Sequence, residues 1–321
     1  MNVNKKMDKK TYTLDIDYIR GLNKKIESDN KKFKEAFGNI KNIVKEEFGI
    51  NIPEHLRRLS IDMYKEIRLD TPYVLDFVVK GIVESVGQEY EQIVIKNPKG
   101  IYNLCAGLGS SSVVNGSKFS LEEIIVEGDV GTYYGALSAD RQFSHTIKGC
   151  AGRSFMDNCR KGKIIVEGIA DDGAAQVNHG AYFLFEEKVG PRLACLQRSG
   201  GVVTLKNLPF NTGLYMTGGN ILTLGDDIED EIGPDMKEGR IYVPKLNSNI
   251  LGKGAVGVQI QAEDYGRIFD VLKPFSKELD ISADCLNENN PVMMINGMEH
   301  NFSKYYKIMP KNLLECRVRQ Q

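Results

Sequence analysis

Two cysteines in the stretch GCAGRSFMDNCRKGKIIVEG, residues 149–168, are the first side chains in this sequence whose type suggests chemistry. Cys150 and Cys159 lie between a glycine pair and a short apolar run, and Cys195 follows further along. A zinc or iron–sulfur site requires about four ligands and is usually recognised by short ligand spacings, which are missing here. The sequence therefore favours buried structural thiols over a metal site.

Histidines are the other residues that could complete a site around these thiols. His145 and His179 could join Cys150 and Cys159 if the fold brought them together, and Arg153 and Arg160 are close to the thiols in sequence. A nucleophilic cysteine needs such a base or a positive field. A stand-alone enzyme with a site built from these four residues is therefore kept as an alternative.

Two other segments have compositions that could bind ions. The segment LCAGLGSSSVVNG, residues 104–116, places Gly107 and Gly109 before Ser110–Ser112, but no helix pattern follows, so a connecting loop is favoured over a phosphate cradle. The acidic run GDDIEDEIGPDMKEG, residues 225–239, could hold a hard cation, although a solvated loop is favoured because no EF-hand spacing is present.

Composition describes an ordinary water-soluble chain of 321 residues with a net charge of −1. Neither nucleic acid nor an anionic membrane is favoured as a partner. Residues 1–60 carry 14 basic and 9 acidic residues (14 − 9 = +5), but the acidic residues are interleaved, so a basic nucleic-acid arm is the weaker interpretation. No signal peptide or 20-residue apolar span is visible, and six scattered cysteines without a CxxC pair are typical of a reducing compartment. We expect a cytoplasmic protein.

A repeat of short apolar runs dominates residues 120–245. Successive runs begin 18 to 21 residues apart, and each has two apolar positions separated by one residue, which share a face of a strand. The predicted inward pairs are Ile124/Val126, His145/Ile147, Ile164/Val166, Tyr182/Leu184, Val203/Leu205, Ile221/Thr223 and Ile241/Val243. Corner residues are predicted two positions after these pairs, at Gly128, Gly149, Gly168, Gly225 and Asn207. A fixed period near twenty predicts a mainly β fold, a right-handed parallel β-helix of about seven coils.

Helical segments are predicted on both sides of the repeat. An apolar stripe from Leu22 to Phe48 and a capped segment from Pro72 to about Val86 indicate an α-helical N-terminal region, residues 1–110. The β-helix is assigned to residues 111–250, and residues 251–321 form a C-terminal capping or docking tail with one helix near 263–279. Caps are expected because open sheet edges invite pairing with other chains.

The repeats resemble a known family. The stretch 149–168, GLYMTGGNILTLG (213–225) and EIGPDMKEGRIYV (231–243) resemble the GXGXG domain, the C-terminal β-helix of the glutamate synthase large subunit and a separate subunit in some relatives. They also resemble, more distantly, one of the subunits of formylmethanofuran dehydrogenase. The segment FSKYYKIMP (302–310) resembles the end of glutamate synthase large subunits. Met156 and Asp157 stand where the family tends to have glycine, so this coil is predicted to make a docking contact.

The resemblance implies a scaffold rather than a catalyst. In that family the FMN, the iron–sulfur cluster and the glutamine-hydrolysing cysteine belong to other domains, so no catalytic, cofactor-binding or metal-binding residue is assigned to this chain. The expected partners are proteins, a flavin-bearing synthase subunit and an amidotransferase subunit, in glutamate biosynthesis. A scaffold subunit of a formylmethanofuran-dehydrogenase-like molybdenum or tungsten enzyme is the alternative that the more distant resemblance implies.

Overall fold

A computed structural model describes residues 9–17, 83, 87, 90–99, 101–102, 104–106, 120–138, 144–281 and 286–313. The strands up to the last coil are β1 Thr11–Asp15, β2 Gln92–Lys96, β3 Glu123–Glu127, β4 Ser144–Ile147, β5 Lys163–Val166, β6 His179–Phe185, β7 Ser199–Thr204, β8 Asn207–Leu208, β9 Thr217–Thr223, β10 Asp227–Ile228 and β11 Glu238–Val243. After them come β12 Ala255–Gln259, helix α1 Ala262–Leu272, β13 Val292–Ile295, β14 Met298–Asn301 and β15 Tyr306–Pro310, with 3-10 turns at Ser248–Ile250, Lys273–Phe275 and Phe302–Lys304.

One sheet of eleven strands runs along the molecule in the order β1-β2-β3-β4-β5-β6-β7-β9-β11-β15-β12. All pairs from β1 to β11 are parallel, and β15 and β12 close the series in antiparallel fashion. Each passage from one parallel strand to the next is one turn, so the seven strands from β3 to β11 bound about six turns. The predicted mainly β solenoid is confirmed. The sheet also extends past the predicted β-helix range on both sides, through β1, β2, β12 and β15.

Two columns of side chains fill the interior behind this sheet. Because neighbouring coils are about 4.8 Å apart, residues paired across strands stack directly on one another. The columns consist of Ile93, Ile124, His145, Ile164, Phe183, Val202, Ile221 and Ile241, and of Ile95, Val126, Ile147, Val166, Phe185, Thr204, Thr223 and Val243. Five of the seven predicted inward pairs are therefore confirmed.

The pairs predicted for β6 and β7 are wrong by one residue. Phe183 and Phe185 point inward in place of Tyr182 and Leu184, and in β7 Val202 and Thr204 replace Val203 and Leu205. A one-residue slip moves every side chain to the other face, and here both faces are apolar. The alternation that normally marks the inward face is therefore absent.

Helix α1 explains why the second face is apolar. Ile165, Leu184, Val203, Leu222 and Tyr242 point away from the interior and form a second buried cluster against the helix. The helix contributes Ile268, Val271 and Leu272, and Phe275 follows it in the next turn. Its position agrees with the helix predicted near 263–279. The predicted N-terminal helices lie almost wholly outside the described residues.

A second ladder, without strands, forms another side of the solenoid. It consists of one five-residue segment in each turn, at 133–137, 154–158, 173–177, 192–196, 211–215 and 231–235, and we call it the turn ladder. Every second residue in these segments has a φ between 51° and 77°. Their amides donate alternately to the following and the preceding coil, as Tyr133 N–H does to the Arg153 carbonyl and Met156 N–H to the Tyr134 carbonyl.

Most residues of the turn ladder at positive φ are not glycine. The glycines are Gly135, Gly173, Gly213 and Gly233, while the others include Tyr, Leu, Met, Val and Arg. The left-handed conformation costs an L-residue about 1–2 kcal/mol. The inter-coil hydrogen bonds of the ladder hold these residues there.

Relieving this strain should stabilise the protein. Leu196 has a φ of 57° and a side chain that is 46% exposed, so Leu196→Gly should raise the free energy of unfolding by about 1 kcal/mol. Ile169 is somewhat more exposed, at 55%, but is not in the left-handed region, so Ile169→Gly should lower the free energy of unfolding by about 1 kcal/mol. Thermal and denaturant unfolding of the two variants measures their changes in stability. Changes of the same sign in both would contradict the relief of left-handed strain at Leu196.

The predicted corners differ in their physical requirement. Gly149 is not at positive φ; a Cβ there would lie 2.4 Å from the carbonyl carbon of Gly128 in the neighbouring coil. Glycine is thus required for close approach rather than for φ. Asn207 is not a left-handed corner either, because it is buried in β8 and its amide bonds both the N–H and the carbonyl of Val189 at 2.9 Å.

Candidate functional site

The outward side of the turn ladder carries a row of side chains that we call the outer row: Leu137, Asn158, Val177, Leu196 and Tyr215. Their amides bond the next coil in register, which stacks the five residues above one another. Leu137, Leu196 and Tyr215 are 60%, 46% and 48% exposed. Four of these five are apolar or aromatic, whereas Asn158 interrupts the row and Asp235, the equivalent residue of the sixth segment, ends it. The row is therefore a narrow, mainly apolar surface along the solenoid.

The backbone makes this surface rigid. Single exposed apolar residues are common on monomers, but a contiguous apolar patch is typical of an interaction site. Each outer-row residue donates its N–H to the next coil at 2.8 to 3.0 Å, from Leu137 to Asp157 at one end and from Tyr215 to Pro234 at the other. A partner would therefore meet a surface that needs little ordering on binding.

The cysteines of the 149–168 stretch are separated by burial. Cys150 is exposed and its N–H donates to Asp129 Oδ1 at 2.9 Å, whereas Cys159 is buried. Burial raises the pKa of the Cys159 thiol to about 12 and that of Cys195 to about 11. Both remain protonated at neutral pH, so neither is an activated nucleophile.

His145 lies inside the solenoid rather than beside these thiols. Its Nδ1 is hydrogen-bonded to the Tyr134 hydroxyl at 2.9 Å, and burial lowers its pKa to about 3. Burial, together with the neighbouring Cys105 thiol, raises the pKa of Tyr134. These three residues form a polar cluster closed off from solvent, in which His145 is neutral. His179 is part-buried, and its pKa is lowered by that burial and by the Arg198 and Arg160 charges.

Met156, in the coil predicted to make a docking contact, is a core residue. Its side chain is fully buried, and its sulfur occupies the place where a Cβ on Gly135 would be, 2.3 Å away. A methionine therefore fills space that the glycine of the preceding coil leaves open. Asp157 is half-buried, and its burial raises the pKa of its carboxyl.

The two candidate ion-binding segments have different outcomes. Gly107, Gly109 and Ser110–Ser112 lie outside the described residues. The acidic run is largely exposed around β10, and Asp227 pairs with Lys188 at 3.0 Å while Glu229 accepts the N–H of Phe210 at 2.9 Å. Across the part of the chain that the structure describes, no three His, Cys, Asp or Glu side chains converge as a metal site.

A buried charge cluster joins helix α1 to the last strands. Asp264 and Lys307 are 0% and 1% exposed, with Lys307 Nζ donating to Asp264 Oδ2 at 2.6 Å. Asp264 also accepts the Tyr242 hydroxyl at 3.0 Å and the backbone N–H of Gln261 at 2.9 Å. Burial, followed by the Asp264 charge, raises the pKa of Tyr242. Three elements are therefore locked together by one carboxylate.

Sequence reasoning missed both the outer row and this cluster. Apolar residues at the ends of four of the six turn segments were the available signal for the row. Positive φ alone does not direct them outward, because Met156 and Ala194 share it and are buried. Asp264 and Lys307 are far apart in sequence, and nothing local relates them.

Comparison with protein-family models and with curated proteins found no match. Among the described residues, none of the helices has both the length and the apolar character that crossing a bilayer requires.

Proposed function

We propose that this chain is a non-catalytic scaffold subunit or domain of a glutamate-synthase-like oxidoreductase and amidotransferase. Its role would be to hold a flavin- and iron–sulfur-bearing synthase subunit and an amidotransferase subunit in register. FMN and the iron–sulfur cluster belong to those partners in this proposal. The reaction class comes from the sequence resemblance, and the scaffold role is carried by the outer row.

The outer row supports docking because Leu137, Leu196 and Tyr215 are apolar or aromatic and exposed, on a backbone that inter-coil hydrogen bonds make rigid. Leu137, Val177, Leu196 and Tyr215 are spaced by whole coils of the solenoid, so a partner that follows the row would be held along the long direction of the molecule. Burying such side chains is worth about 1.5–3 kcal/mol each when burial is complete. The outward sheet face from β5 to β11 is already covered by α1 and the segments that follow it.

The turn ladder supports the family part of the proposal. Positive φ at every second residue of a repeated segment is the conformation that a G-x-G-x-G spacing would supply. Gly135, Met156 and Ala175 occupy equivalent middle positions of successive segments. If other residues have replaced the glycines of the family here, the turn ladder would keep its hydrogen bonds, at the cost of left-handed backbone strain in those residues.

The proposal is tested by isolating the complex from native cells with a tagged chain and identifying its members by mass spectrometry and cofactor spectra. We expect a partner that holds FMN and an iron–sulfur cluster, together with a glutaminase-type partner. Leu196→Asp/Tyr215→Asp should abolish their capture, because burying two carboxylates at an apolar interface is unfavourable.

Ile169→Asp is the matched control. Ile169 is 55% exposed but lies outside the outer row, so this variant should capture the partners as the wild type does. Unchanged unfolding temperatures of both variants would separate lost docking from lost folding. A chain that runs alone, or one that captures a molybdenum or tungsten enzyme, would overturn the proposal.

A further inference from the structure

A cleft at the C-terminal end of the solenoid lies apart from the outer row. It has a volume of about 290 Å³ and is lined by Gly218, Gly219, Asn220, Glu238, Gly239, Arg240, Arg267 and Leu313. It is formed where β9 and β11 change register between Glu238 and Arg240, with α1 alongside. A register change of this kind leaves backbone unpaired and opens the edge of a sheet locally.

Two arginines from different elements line this cleft. Arg240 comes from β11 and Arg267 from α1, and each approaches the same oxygen, Asp264 Oδ1, at 3.9 and 4.0 Å. Those distances are long for a charge-assisted hydrogen bond, which is normally about 2.7–2.9 Å. Arg240 Nε is buried and has no hydrogen-bond partner among the described residues.

The nearby carboxylates are already used elsewhere. Asp264 gives its shortest contact, 2.6 Å, to Lys307, and its Oδ1 accepts the Tyr242 hydroxyl. Glu263 lies 3.9 Å from both Arg267 and Lys307. Glu238 lies at the rim of the cleft and is exposed, so water screens its charge. Arg267 also donates to the Glu263 carbonyl at 3.4 Å, a long contact, so the two arginines retain N–H donors that this cluster does not use.

We propose that this cleft binds the carboxylate or phosphate group of a small anionic ligand. A planar guanidinium matches both groups through paired N–H donors, and two guanidiniums side by side favour an oxyanion over a neutral molecule. The volume is at the small end of ligand sites, which fits a ligand of few atoms. Arg240 and Arg267 are the binding residues, and the Asp264 carboxylate holds them toward one point.

Binding is measured by isothermal titration of the full chain at constant ionic strength, with inorganic phosphate and succinate as separate probes. We expect at least one probe to bind, and Arg267→Gln to weaken it about ten-fold, the loss expected for a charged hydrogen bond. Arg198→Gln is the control, since Arg198 is exposed and outside the cleft. Comparison of the two probes distinguishes a phosphate from a carboxylate ligand.

Glu238→Gln is a variant whose expected effect is tighter binding, which misfolding could not produce. Removing this carboxylate from the rim should strengthen binding of the same probe about two- to five-fold, the size of an exposed charge interaction. No binding of either probe up to about 20 mM, above the range of even a weak millimolar site, would overturn the proposal. Equal binding by wild type, Arg267→Gln and Glu238→Gln would overturn it as well.

Discussion

Replacing Asp264 by asparagine is expected to lower the free energy of unfolding by about 3–5 kcal/mol. The change leaves the Lys307 ammonium, 1% exposed, without the carboxylate that lies 2.6 Å away. It also removes the acceptor charge from the Tyr242 hydroxyl and from the first turn of α1. Because these contacts join α1 to β11 and β15, denaturant unfolding should show the loss across the C-terminal end of the solenoid.

Glu263→Gln is the matched control for this charge change. Glu263 is the preceding residue, is 43% exposed and lies 3.9 Å from Lys307, so its replacement should cost no more than about 1 kcal/mol. Lys307→Met should cost less than Asp264→Asn, because Asp264 keeps Arg240 and Arg267 near 4 Å. Equal losses for Asp264→Asn and Glu263→Gln would show that the buried pair does not stabilise the fold.

Combining Asp264→Leu with Lys307→Met should recover part of the loss. Breaking a buried ion pair leaves one charge uncompensated, whereas replacing both partners with apolar side chains removes the desolvation cost of both. The double variant should therefore be more stable than Asp264→Asn alone. A double variant whose loss equals the sum of the Asp264→Leu and Lys307→Met losses, each measured singly, would indicate that the two residues act independently.

Gly200→Ala is expected to destabilise the solenoid by at least about 3 kcal/mol, from left-handed strain and overpacking together. Gly200 has a φ of +83°, and a Cβ there would lie 2.2 Å from the carbonyl oxygen of Ala181 and 2.8 Å from the carbonyl carbon of Gly180. Both atoms belong to the backbone of the preceding coil. The coils would have to separate locally, and thermal unfolding measures that loss.

Two further glycines separate the cost of left-handed strain from the cost of overpacking. Gly254 has a φ of +78° with no atom within 4 Å of an added Cβ, so Gly254→Ala isolates the strain, about 1–2 kcal/mol. Gly266 is inside α1 with open space around it, so Gly266→Ala should stabilise by about 0.5–1 kcal/mol. From most to least stable, the order should be Gly266→Ala, wild type, Gly254→Ala and Gly200→Ala. If Gly254→Ala were less stable than Gly200→Ala, close approach between coils would not be the larger cost.

Much of the fold could be predicted because it repeats. In a single strand, an assignment of the inward face that is wrong by one residue is hard to detect. Seven apolar runs with spacings of 18 to 21 residues together define a stacking period. Ile164 and Val166 could be assigned inward because they occupy the same place in this period as the apolar pairs of the other coils. Helix α1 could be placed because its apolar residues recur with helical spacing.

The wrong inward pairs in β6 and β7 have a common cause. Alternation along a strand assigns apolar residues to the interior and polar ones to the outside, but in these strands the outward residues are apolar too. Leu184 and Val203 are as apolar as Phe183 and Val202, and only the packing of α1 against the sheet shows which pair faces which core. The turn ladder was not predicted because Leu196 and Tyr215 carry no mark of positive φ. Such a conformation is held by hydrogen bonds from neighbouring coils, which are twenty residues away in sequence.

The amino-acid sequence alone establishes that this chain is a solenoid of short parallel strands, since no single repeat can bury its own apolar pair and stacking is the remaining way to do so. Only the folded arrangement of the coils shows which surfaces and charges face one another. The apolar outer row, the Asp264–Lys307 pair and the convergence of Arg240 with Arg267 all depend on contacts between distant segments. The sequence does not show these features because each one depends on the direction of a side chain, and that direction is set by backbone φ and by contacts with the neighbouring coils.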